Sequence, residues 1–233
     1  MASTQYTIAV LGGTGAEGSG LALRWALAGH RVIIGSRNPE KAAMVCAELN
    51  VRLGKDSIRF MNNHSAACAA EIVVLTVPYA AQRATVEEVR EALAGKILVD
   101  ATVPLVPPKV SRVQLPAGGS AVAAIQELLG EDVRVVSAFQ NVSAHHLKDL
   151  EHAIECDVLV CGNDAASRET VIVLARDIGL RGLHAGGISN SAAAEALTSL
   201  LIAINSRYKV PGAGICITGI PQMAALSQAI ESK

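Results

Sequence analysis

Aromatic residues, an excess of charge of one sign and long apolar runs are all scarce in this chain. Only 3% of its 233 residues are aromatic and the formal net charge is -1, so it offers nucleic acid neither stacking platforms nor a basic stripe. No charge-free apolar run is long enough to cross a bilayer, and residues 1–6 lack a signal-peptide pattern. These absences predict a cytoplasmic, globular protein that binds neither nucleic acid nor membranes.

Motifs for metal binding and nucleophilic catalysis are missing as well. The five cysteines form no C-x-x-C pair, and the adjacent His145 and His146 cannot both face one ligand from a regular helix or strand. There is no G-x-S-x-G turn and no lysine in a plainly apolar segment. We therefore predict no metal site, and we assign no side chain as a catalytic acid, base or nucleophile.

Short apolar runs alternate regularly with longer segments of helical periodicity. The runs are rich in Val, Ile and Leu and show little polar alternation, which is typical of parallel strands buried on both faces. The predicted fold class is α/β, a Rossmann-type, doubly wound, mostly parallel sheet. The predicted strands are residues 8–11, 32–35, 57–61, 72–77, 96–99, 133–138 and 158–161, and the predicted helices include residues 39–53, 80–93 and 120–129.

A glycine fingerprint follows the first predicted strand. The segment Gly13-Thr14-Gly15-Ala16-Glu17-Gly18 has G-x-G-x-x-G spacing. Its glycines permit a tight turn, a close approach of the backbone to a pyrophosphate, and close contact between the next helix and the sheet. Because a strand precedes it and a helix-like segment and a second strand follow, the fingerprint predicts a dinucleotide whose phosphates meet a helix N-terminus.

The end of the second predicted strand indicates which dinucleotide is bound. A chain that prefers NAD usually carries an acid here to hold the ribose 2'-hydroxyl, whereas this chain has Ser36 and Arg37. Arg37 would attract a 2'-phosphate, Ser36 can donate a hydrogen bond to it, and Lys41 on the next helix adds positive charge. The pattern predicts NADP(H) rather than NAD.

Other segments beyond the carboxyl ends of predicted strands are expected to line the same cleft. Val77 and Pro78 form an apolar lip suited to the face of a ring, although a strand stopped by proline would have the same sequence. Gln140 and Asn141 place two amides at the rim, where they would serve the carbonyl and ring nitrogens of a heterocycle, or act only as turn formers.

The proline-rich segment 102–119 is either a wall or lid of the site or a surface excursion.

The composition of the chain changes near residue 185. Residues 192–205 predict a nearly apolar helix, which must be buried beside the sheet or in a subunit contact, and a short tail helix is predicted at the end. We therefore predict an NADP-binding Rossmann domain at residues 1–185. Residues 186–233 are predicted to be a C-terminal extension that forms a wall of the site, a subunit contact, or both.

Several segments together resemble the NADPH-dependent reductases of the deazaflavin coenzyme F-420 (F420). The fingerprint and Gly35-Ser36-Arg37 contribute to this resemblance, and two later segments are more particular to the group. These are residues 160–164, Val-Cys-Gly-Asn-Asp, and residues 185–191, Ala-Gly-Gly-Ile-Ser-Asn-Ser. The resemblance implies a homo-oligomeric, NADP-dependent oxidoreductase that passes a hydride between NADP(H) and F420. Such a transfer depends on positioning and water exclusion more than on a proton relay.

The resemblance also implies roles for individual residues. It gives 2'-phosphate binding to Ser36, Arg37 and Lys41, and pyrophosphate binding to residues 14–17. The contacts on the nicotinamide side that it implies fall on Val77, Ala81, Val103 and Ala144.

Two positions depart from the family pattern where the second substrate should lie. Members of the group carry a histidine and an arginine where this chain has Gln140 and Ala192. A similar nucleotide-binding module occurs in membrane metalloreductases that use flavin, so an NADPH-dependent reductase of a flavin or another small acceptor is an alternative. A non-catalytic NADP(H)-sensing protein is a further alternative, since acid-base groups are scarce. The predicted acceptor-binding residues are Gln140, Asn141 and Ala192.

Overall fold

The computed structural model describes residues 4–220 and contains one eight-stranded sheet in the order β3-β2-β1-β4-β5-β6-β7-β8. Neighbouring strands are parallel except β6 and β7, which are antiparallel. The predicted doubly wound, mostly parallel α/β fold is therefore confirmed. The strands are β1 (Thr7–Leu11), β2 (Arg31–Gly35), β3 (Ile58–Met61), β4 (Ile72–Leu75), β5 (Ile97–Asp100), β6 (Arg134–Ser137), β7 (Asp157–Gly162) and β8 (Arg181–His184).

Helices cover both faces of the sheet. Short 3-10 turns at Arg90–Leu93 and Ile188–Asn190 supplement them. Within residues 4–220, no helix is long and apolar enough to cross a membrane. The helices are α1 (Ala16–Leu27), α2 (Pro39–Leu53), α3 (Asn63–Ala69), α4 (Tyr79–Val89), α5 (Ala121–Leu129), α6 (Ala144–Lys148), α7 (Ala165–Asp177) and α8 (Ser191–Tyr208).

Local sequence fixes the ends of several helices. At the start of α2 the Asn38 side chain accepts a hydrogen bond from the Lys41 amide at 2.9 Å, and Pro39 occupies the first helical turn. The helix ends at Gly54, whose φ of 64° is the left-handed conformation that glycine adopts most readily. Ser120 caps α5 in the same way as Asn38 caps α2, accepting from the Ala123 amide at 2.9 Å. These caps are why the predicted bounds of both helices agree with the structure.

The hydrophobic core lies on both faces of the sheet. Along β1, Ile8 and Val10 pack into one apolar cluster, while Ala9 and Leu11 pack into the cluster on the opposite face. Trp25 of α1 lies in the first cluster, and its indole NH donates to the carbonyl of Leu174 at 3.0 Å. Strands buried on both sides explain the continuous apolar runs of the sequence.

Four elements of the described chain were not predicted, namely α3, α6, α7 and β8. Strand β8 contains Gly182 and no apolar run, and it forms because its register places Arg181 opposite Asp157. The two side chains form an ion pair at 2.6 Å with little exposure to solvent. Helix α3 is built mostly of small residues and lacks a clear apolar periodicity. The predicted tail helix lies outside the described residues.

Candidate nucleotide-binding site

The glycine fingerprint forms the turn between β1 and α1. Gly12 has a φ of 82°, and a Cβ there would lie 2.9 Å from the carbonyl oxygen of Thr76. A Cβ on Gly18 would lie 2.8 Å from the Cα of Gly13, so glycine at this position lets α1 pack directly on the turn. Gly15 is the N-cap of α1 and provides no capping side chain. The first-turn amides of α1 therefore remain available to an anion.

One cavity of about 370 Å³ joins this turn to the end of β2. Thr14 and Gly15 line it together with Ser36, Arg37 and Lys41. Arg37 and Lys41 are exposed, and among residues 4–220 no carboxylate lines the cavity. Two cations at the end of β2 provide the charge that a 2'-phosphate needs, beside the Ser36 hydroxyl, which donates to the Asn38 carbonyl at 3.1 Å. The structure thus brings together the three residues predicted at this corner.

The end of β4 forms the other wall of the same cavity. Val77, Pro78 and Ala81 all line it, with α4 beginning at Tyr79 directly after Pro78. The Val77 side chain lies close enough to Gly12 that a Cβ on the glycine would come within 2.9 Å of it. The predicted apolar lip therefore packs directly against the fingerprint turn and lines the cavity beside it.

Five further lining residues were missed by sequence reasoning, namely Gly12, Asn38, Asn63, Thr76 and Thr85. Asn63 is buried, its amide nitrogen donates to Glu88 at 3.2 Å, and its Oδ1 has no partner within residues 4–220. A buried acceptor that lines a cavity and has no partner is suited to an N–H or O–H group of a ligand. The only feature of the sequence that could have indicated a binding role for Asn63 is its position directly after β3, at the carboxyl edge of the sheet.

The remaining predicted residues do not line this cavity. Gly13, Gly18 and Ala16 belong to the turn and to the start of α1, as does Glu17, which is partly buried. Val103 follows β5 and Ala144 begins α6, and both are partly buried.

The two amides predicted at the rim are buried and engaged within the protein. The Nε2 atom of Gln140 donates to the Asp100 carbonyl at 2.8 Å and to the Ser137 hydroxyl at 2.9 Å. The Nδ2 atom of Asn141 donates to the Ala194 carbonyl at 2.8 Å, which ties the end of β6 to α8. The Oε1 atom of Gln140 has no partner in the described part of the chain.

Ala192 lies apart from these amides. It lines a second cavity of about 780 Å³, together with Arg134, Asn163 and Ser189. Asn163 follows the antiparallel strand β7, so this cavity lies toward the edge of the sheet away from the fingerprint. The structure does not bring Ala192, Gln140 and Asn141 into one cavity, and their acceptor-binding role stays a prediction.

The charges of Asp100, Glu17 and Glu195 act on one another, and sequence reasoning did not find this relationship. Asp100 at the end of β5 is fully buried and accepts hydrogen bonds from Gln82 at 2.6 Å and from the Thr102 amide at 2.9 Å. Burial raises the pKa of Asp100 to about 6, with Glu195 adding a smaller repulsive effect. Burial also raises the pKa of Glu17 to about 8, and the charge of Asp100 acts in the same direction. The only indication in the sequence was the presence of acidic residues within apolar segments, where burial of a charge is costly.

Within residues 4–220, no group of three or more His, Cys, Asp or Glu side chains has an arrangement suited to a metal ion. The fold and the glycine turn together define a Rossmann-type dinucleotide-binding protein, and two cations lie at the end of its second strand.

Comparison with known proteins identifies the family. The family described as "NADP oxidoreductase coenzyme F420-dependent" matches residues 7–104. The F420-dependent NADP reductase of Methanothermobacter thermautotrophicus is 40% identical over 222 residues, covering 92% of this chain and 96% of that protein. The enzyme of the same name from Methanocaldococcus jannaschii is 41% identical over 221 residues, covering 91% of this chain and 98% of that protein. This chain belongs to the family of coenzyme F420-dependent NADP oxidoreductases.

A solved structure agrees with this membership. The putative F420-dependent NADP reductase from Arthrobacter sp. FB24 superimposes with a TM-score of 0.78 at 28% identity, covering 91% of this chain and 99% of that chain. The likeness therefore includes α8 and the β7–β8 edge as well as the segment that the family description matches.

Proposed function

We propose that this chain transfers a hydride between NADP(H) and F420. The observation that carries the proposal is the identity of 40% to an F420-dependent NADP reductase over 92% of the chain. The cavity beside the fingerprint supports the NADP(H) half of the reaction, because Ser36, Arg37 and Lys41 line it and no acid in the described part of the chain does.

The cavity suggests how NADP(H) would lie. The 2'-phosphate would occupy the Arg37 and Lys41 corner, and the pyrophosphate would cross the open amides at the start of α1. The nicotinamide would then reach the apolar lip at Val77 and Pro78. On this path Thr14 and Glu17 flank the pyrophosphate, and Ala81, Val103 and Ala144 belong to the nicotinamide side.

The residues that hold the two rings would contribute mainly by positioning them. Hydride transfer needs the donor and acceptor carbons in contact and water excluded from between the rings. Val77 and Pro78 supply an apolar surface on one side of the cleft. Gln140 and Asn141, at the end of β6, would supply the polar edge for the acceptor, with the unpartnered Gln140 Oε1 as a hydrogen-bond acceptor.

The C-terminal extension, residues 186–233, would form the outer wall of the acceptor site. Its helix α8 is fixed to the end of β6 by Asn141, and the Thr198 hydroxyl donates to the Gln140 carbonyl at 2.8 Å. These contacts support a division at residue 185 into a nucleotide-binding domain and an extension that completes it.

The test is a direct assay of the full chain. Purified protein is mixed with NADPH and oxidised F420, and loss of the visible absorbance of the deazaflavin is followed with and without oxygen. We expect turnover in both conditions, and the reverse reaction from reduced F420 and NADP. Absence of turnover in either direction, with NADPH binding intact, would contradict the proposal and leave the NADP(H)-sensing alternative.

A second candidate activity is the NADPH-dependent reduction of a flavin or another small acceptor. It is favoured by the uncharged residues Gln140 and Ala192, because F420 carries an anionic tail and neither side chain pairs with a negative charge. Oxidation of NADPH with such acceptors, but not with F420, would decide in its favour. Ala192→Arg is the informative variant, since a gain in F420 turnover would place this position at the acceptor.

We also propose a homo-oligomer. Helix α8 exposes Leu200, Ile204 and Tyr208 on one face at spacings of four residues, with exposed fractions of 49%, 41% and 72%. An apolar stripe of this kind is commonly covered in an assembly, and a second copy of the chain is the partner we propose. Light scattering after gel filtration is expected to give a dimer or larger species, and Leu200→Glu to shift it toward the monomer.

A cytoplasmic location is part of the same proposal. All five cysteines are free thiols, including the exposed Cys68 and Cys216, which suits a reducing compartment. Fractionation of the producing cells would test it.

A further inference from the structure

Asn63 is a buried polar residue in the wall of the cavity of about 370 Å³ beside the fingerprint. It is 4% exposed, and its Oδ1 atom has no hydrogen-bond partner within residues 4–220. The start of α3 does not need this side chain, because the preceding Asn62 caps the helix and accepts from the Ser65 amide at 2.8 Å. Asn63 therefore holds an acceptor that the described fold does not pair, which is costly unless a ligand supplies a donor.

Two contacts define the direction of the Asn63 amide. Its Nδ2 atom donates to Glu88 Oε2 on α4 at 3.2 Å. A carboxylate oxygen accepts from the nitrogen end of an amide and repels the oxygen end, so this contact fixes which atom is which. The Oδ1 atom lies next to Gly35, the last residue of β2, where a Cβ on the glycine would be 3.2 Å from it. The unpaired oxygen is thus at the end of β2, directly before Ser36 and Arg37.

The adenosine half of NADP(H) is the part of the nucleotide that fits between Asn63 and the Arg37 corner. Arg37 and Lys41 line the same cavity as Asn63 and as Thr85 of α4. The 2'-phosphate is carried by the ribose to which adenine is attached, so a phosphate held at Arg37 brings the adenine into this cavity as well. The Thr85 hydroxyl donates to the Ala81 carbonyl at 2.8 Å, which leaves the Asn63 oxygen as the unpaired acceptor of this wall.

The adenosine half has two groups that could donate a hydrogen bond to Asn63. Because its 2'-oxygen is phosphorylated, these are the ribose 3'-hydroxyl and the 6-amino group of adenine. The 3'-hydroxyl adjoins the 2'-phosphate, whose partners Arg37 and Lys41 are exposed, whereas Asn63 is buried where α3 meets α4. The 6-amino group is on the side of the base remote from the ribose. It is therefore the donor that can reach the buried wall.

We propose that Asn63 selects adenine, its Oδ1 atom accepting a hydrogen bond from the 6-amino group of the base. The inference rests on the proposed function only in taking NADP(H) as the bound nucleotide. Arg37 and Lys41 then recognise the phosphate of the adenosine, and Asn63 recognises its base. A base with a carbonyl oxygen in place of the amino group would bring a second acceptor against Oδ1 and leave both unpaired.

The experiment compares NADPH with reduced nicotinamide hypoxanthine dinucleotide phosphate, whose base carries a 6-carbonyl group in place of the 6-amino group. The Kd of each nucleotide is measured by fluorescence titration of the full chain without acceptor. The wild type is expected to bind the hypoxanthine nucleotide about tenfold more weakly than NADPH. In Asn63→Ala the Kd for NADPH is expected to rise about tenfold, and the two nucleotides to bind within about twofold of each other.

NADH separates this role from that of Arg37. Because NADH carries the same base, Asn63→Ala is expected to weaken NADH and NADPH by the same factor, whereas Arg37→Ala is expected to weaken NADPH alone. Asn62→Ala is the matched control, since it removes the cap of α3 from a residue that does not line the cavity. It is expected to lower stability and to keep the Kd for NADPH and the preference for adenine within about twofold of wild type.

The comparison of nucleotides on the wild type needs no variant, so the proposal stays testable if Asn63→Ala folds poorly. Equal affinity of the wild type for the two bases would overturn it, as would a preference for adenine that survives in Asn63→Ala. Equal weakening of both nucleotides by Asn63→Ala would place the ribose 3'-hydroxyl at Asn63 and would also overturn it. A wild type that binds no NADPH would instead refute the proposed function.

Discussion

Glu195 of α8 accepts a hydrogen bond from the Ser120 hydroxyl at 2.6 Å and so closes the N-terminus of a helix 75 residues away in sequence. The same carboxyl accepts from the amides of Ala121 at 2.7 Å and Val122 at 3.2 Å. Glu195 is 1% exposed, so these amides have no access to water as an alternative partner. The acid thereby ties the C-terminal helix to the layer that covers the sheet.

Removal of this carboxyl is expected to destabilise the fold. Glu195→Ala leaves two buried amides and a hydroxyl without their acceptor, which should lower the free energy of unfolding by about 2–3 kcal/mol. Urea unfolding followed by circular dichroism would measure it. Glu131→Ala, at an exposed position after α5, is the control and is expected to change stability by less than about 0.5 kcal/mol. Equal effects of the two substitutions would contradict the capping role.

Glu17 is expected to make stability depend on pH. Its pKa rises from 4.5 in an unfolded chain to about 8 in the folded one, so the folded state binds its proton more tightly. Its favourable contribution is full below about pH 4.5 and is lost as the pH rises to about 8. Relative to wild type, Glu17→Gln should therefore gain stability between pH 5 and pH 8, by about 2–4 kcal/mol. Unfolding curves of wild type and Glu17→Gln are measured at several pH values, with Glu48→Gln as control. If the prediction is wrong, the difference in the free energy of unfolding between Glu17→Gln and wild type will not change with pH.

Gly18 is expected to tolerate no side chain. A Cβ there would meet the backbone of Gly13 and the hydroxyl of Thr76, so Gly18→Ala must move α1 away from the turn. We expect a loss of about 1–3 kcal/mol in the free energy of unfolding. Calorimetric titration should also show weaker NADPH binding. Gly118→Ala is the matched substitution, because a Cβ there meets nothing within 4 Å. Similar losses for both variants would show that close packing at Gly18 is not the cause.

Arg37 is expected to distinguish the two nicotinamide dinucleotides. Arg37→Ala removes a charge-assisted hydrogen bond to the 2'-phosphate and should weaken NADPH binding by about 1–3 kcal/mol, while NADH binding barely changes. Fluorescence titration with both nucleotides measures this. Arg176→Ala, at an exposed position on α7, serves as control. If Arg37→Ala weakens both nucleotides equally, the 2'-phosphate assignment is wrong.

The proximity of the fingerprint to Ser36 and Arg37 could be predicted from the sequence because its signals are local. Gly13 to Gly18 form one turn, and Ser36 and Arg37 follow the next strand, so their proximity needs only the geometry of one βαβ unit. Parallel strands buried on both faces also produce a distinct apolar pattern, which is why the class of fold was predicted correctly.

The acid cluster could not be predicted in this way. Glu17, Asp100 and Glu195 lie on three elements far apart in sequence, and the effects of their charges on one another depend on how α1, β5 and α8 pack. Strand β8 was missed for a similar reason, since the ion pair of Arg181 with Asp157 replaces the apolar pattern that usually marks a strand. Contacts between distant segments, rather than local propensity, decide both features.

The antiparallel join of β6 and β7 has a consequence for how the molecule opens. Its register comprises two residue pairs, Val136 with Gly162 and Ser137 with Cys161, whereas every other strand pair has four or five. Short ladders are the first to separate in partial unfolding, so β7, α7 and β8 form a unit that can detach while the dinucleotide-binding strands stay paired. Amide protons of β7 and β8 should accordingly exchange with deuterium before those of β1 and β4.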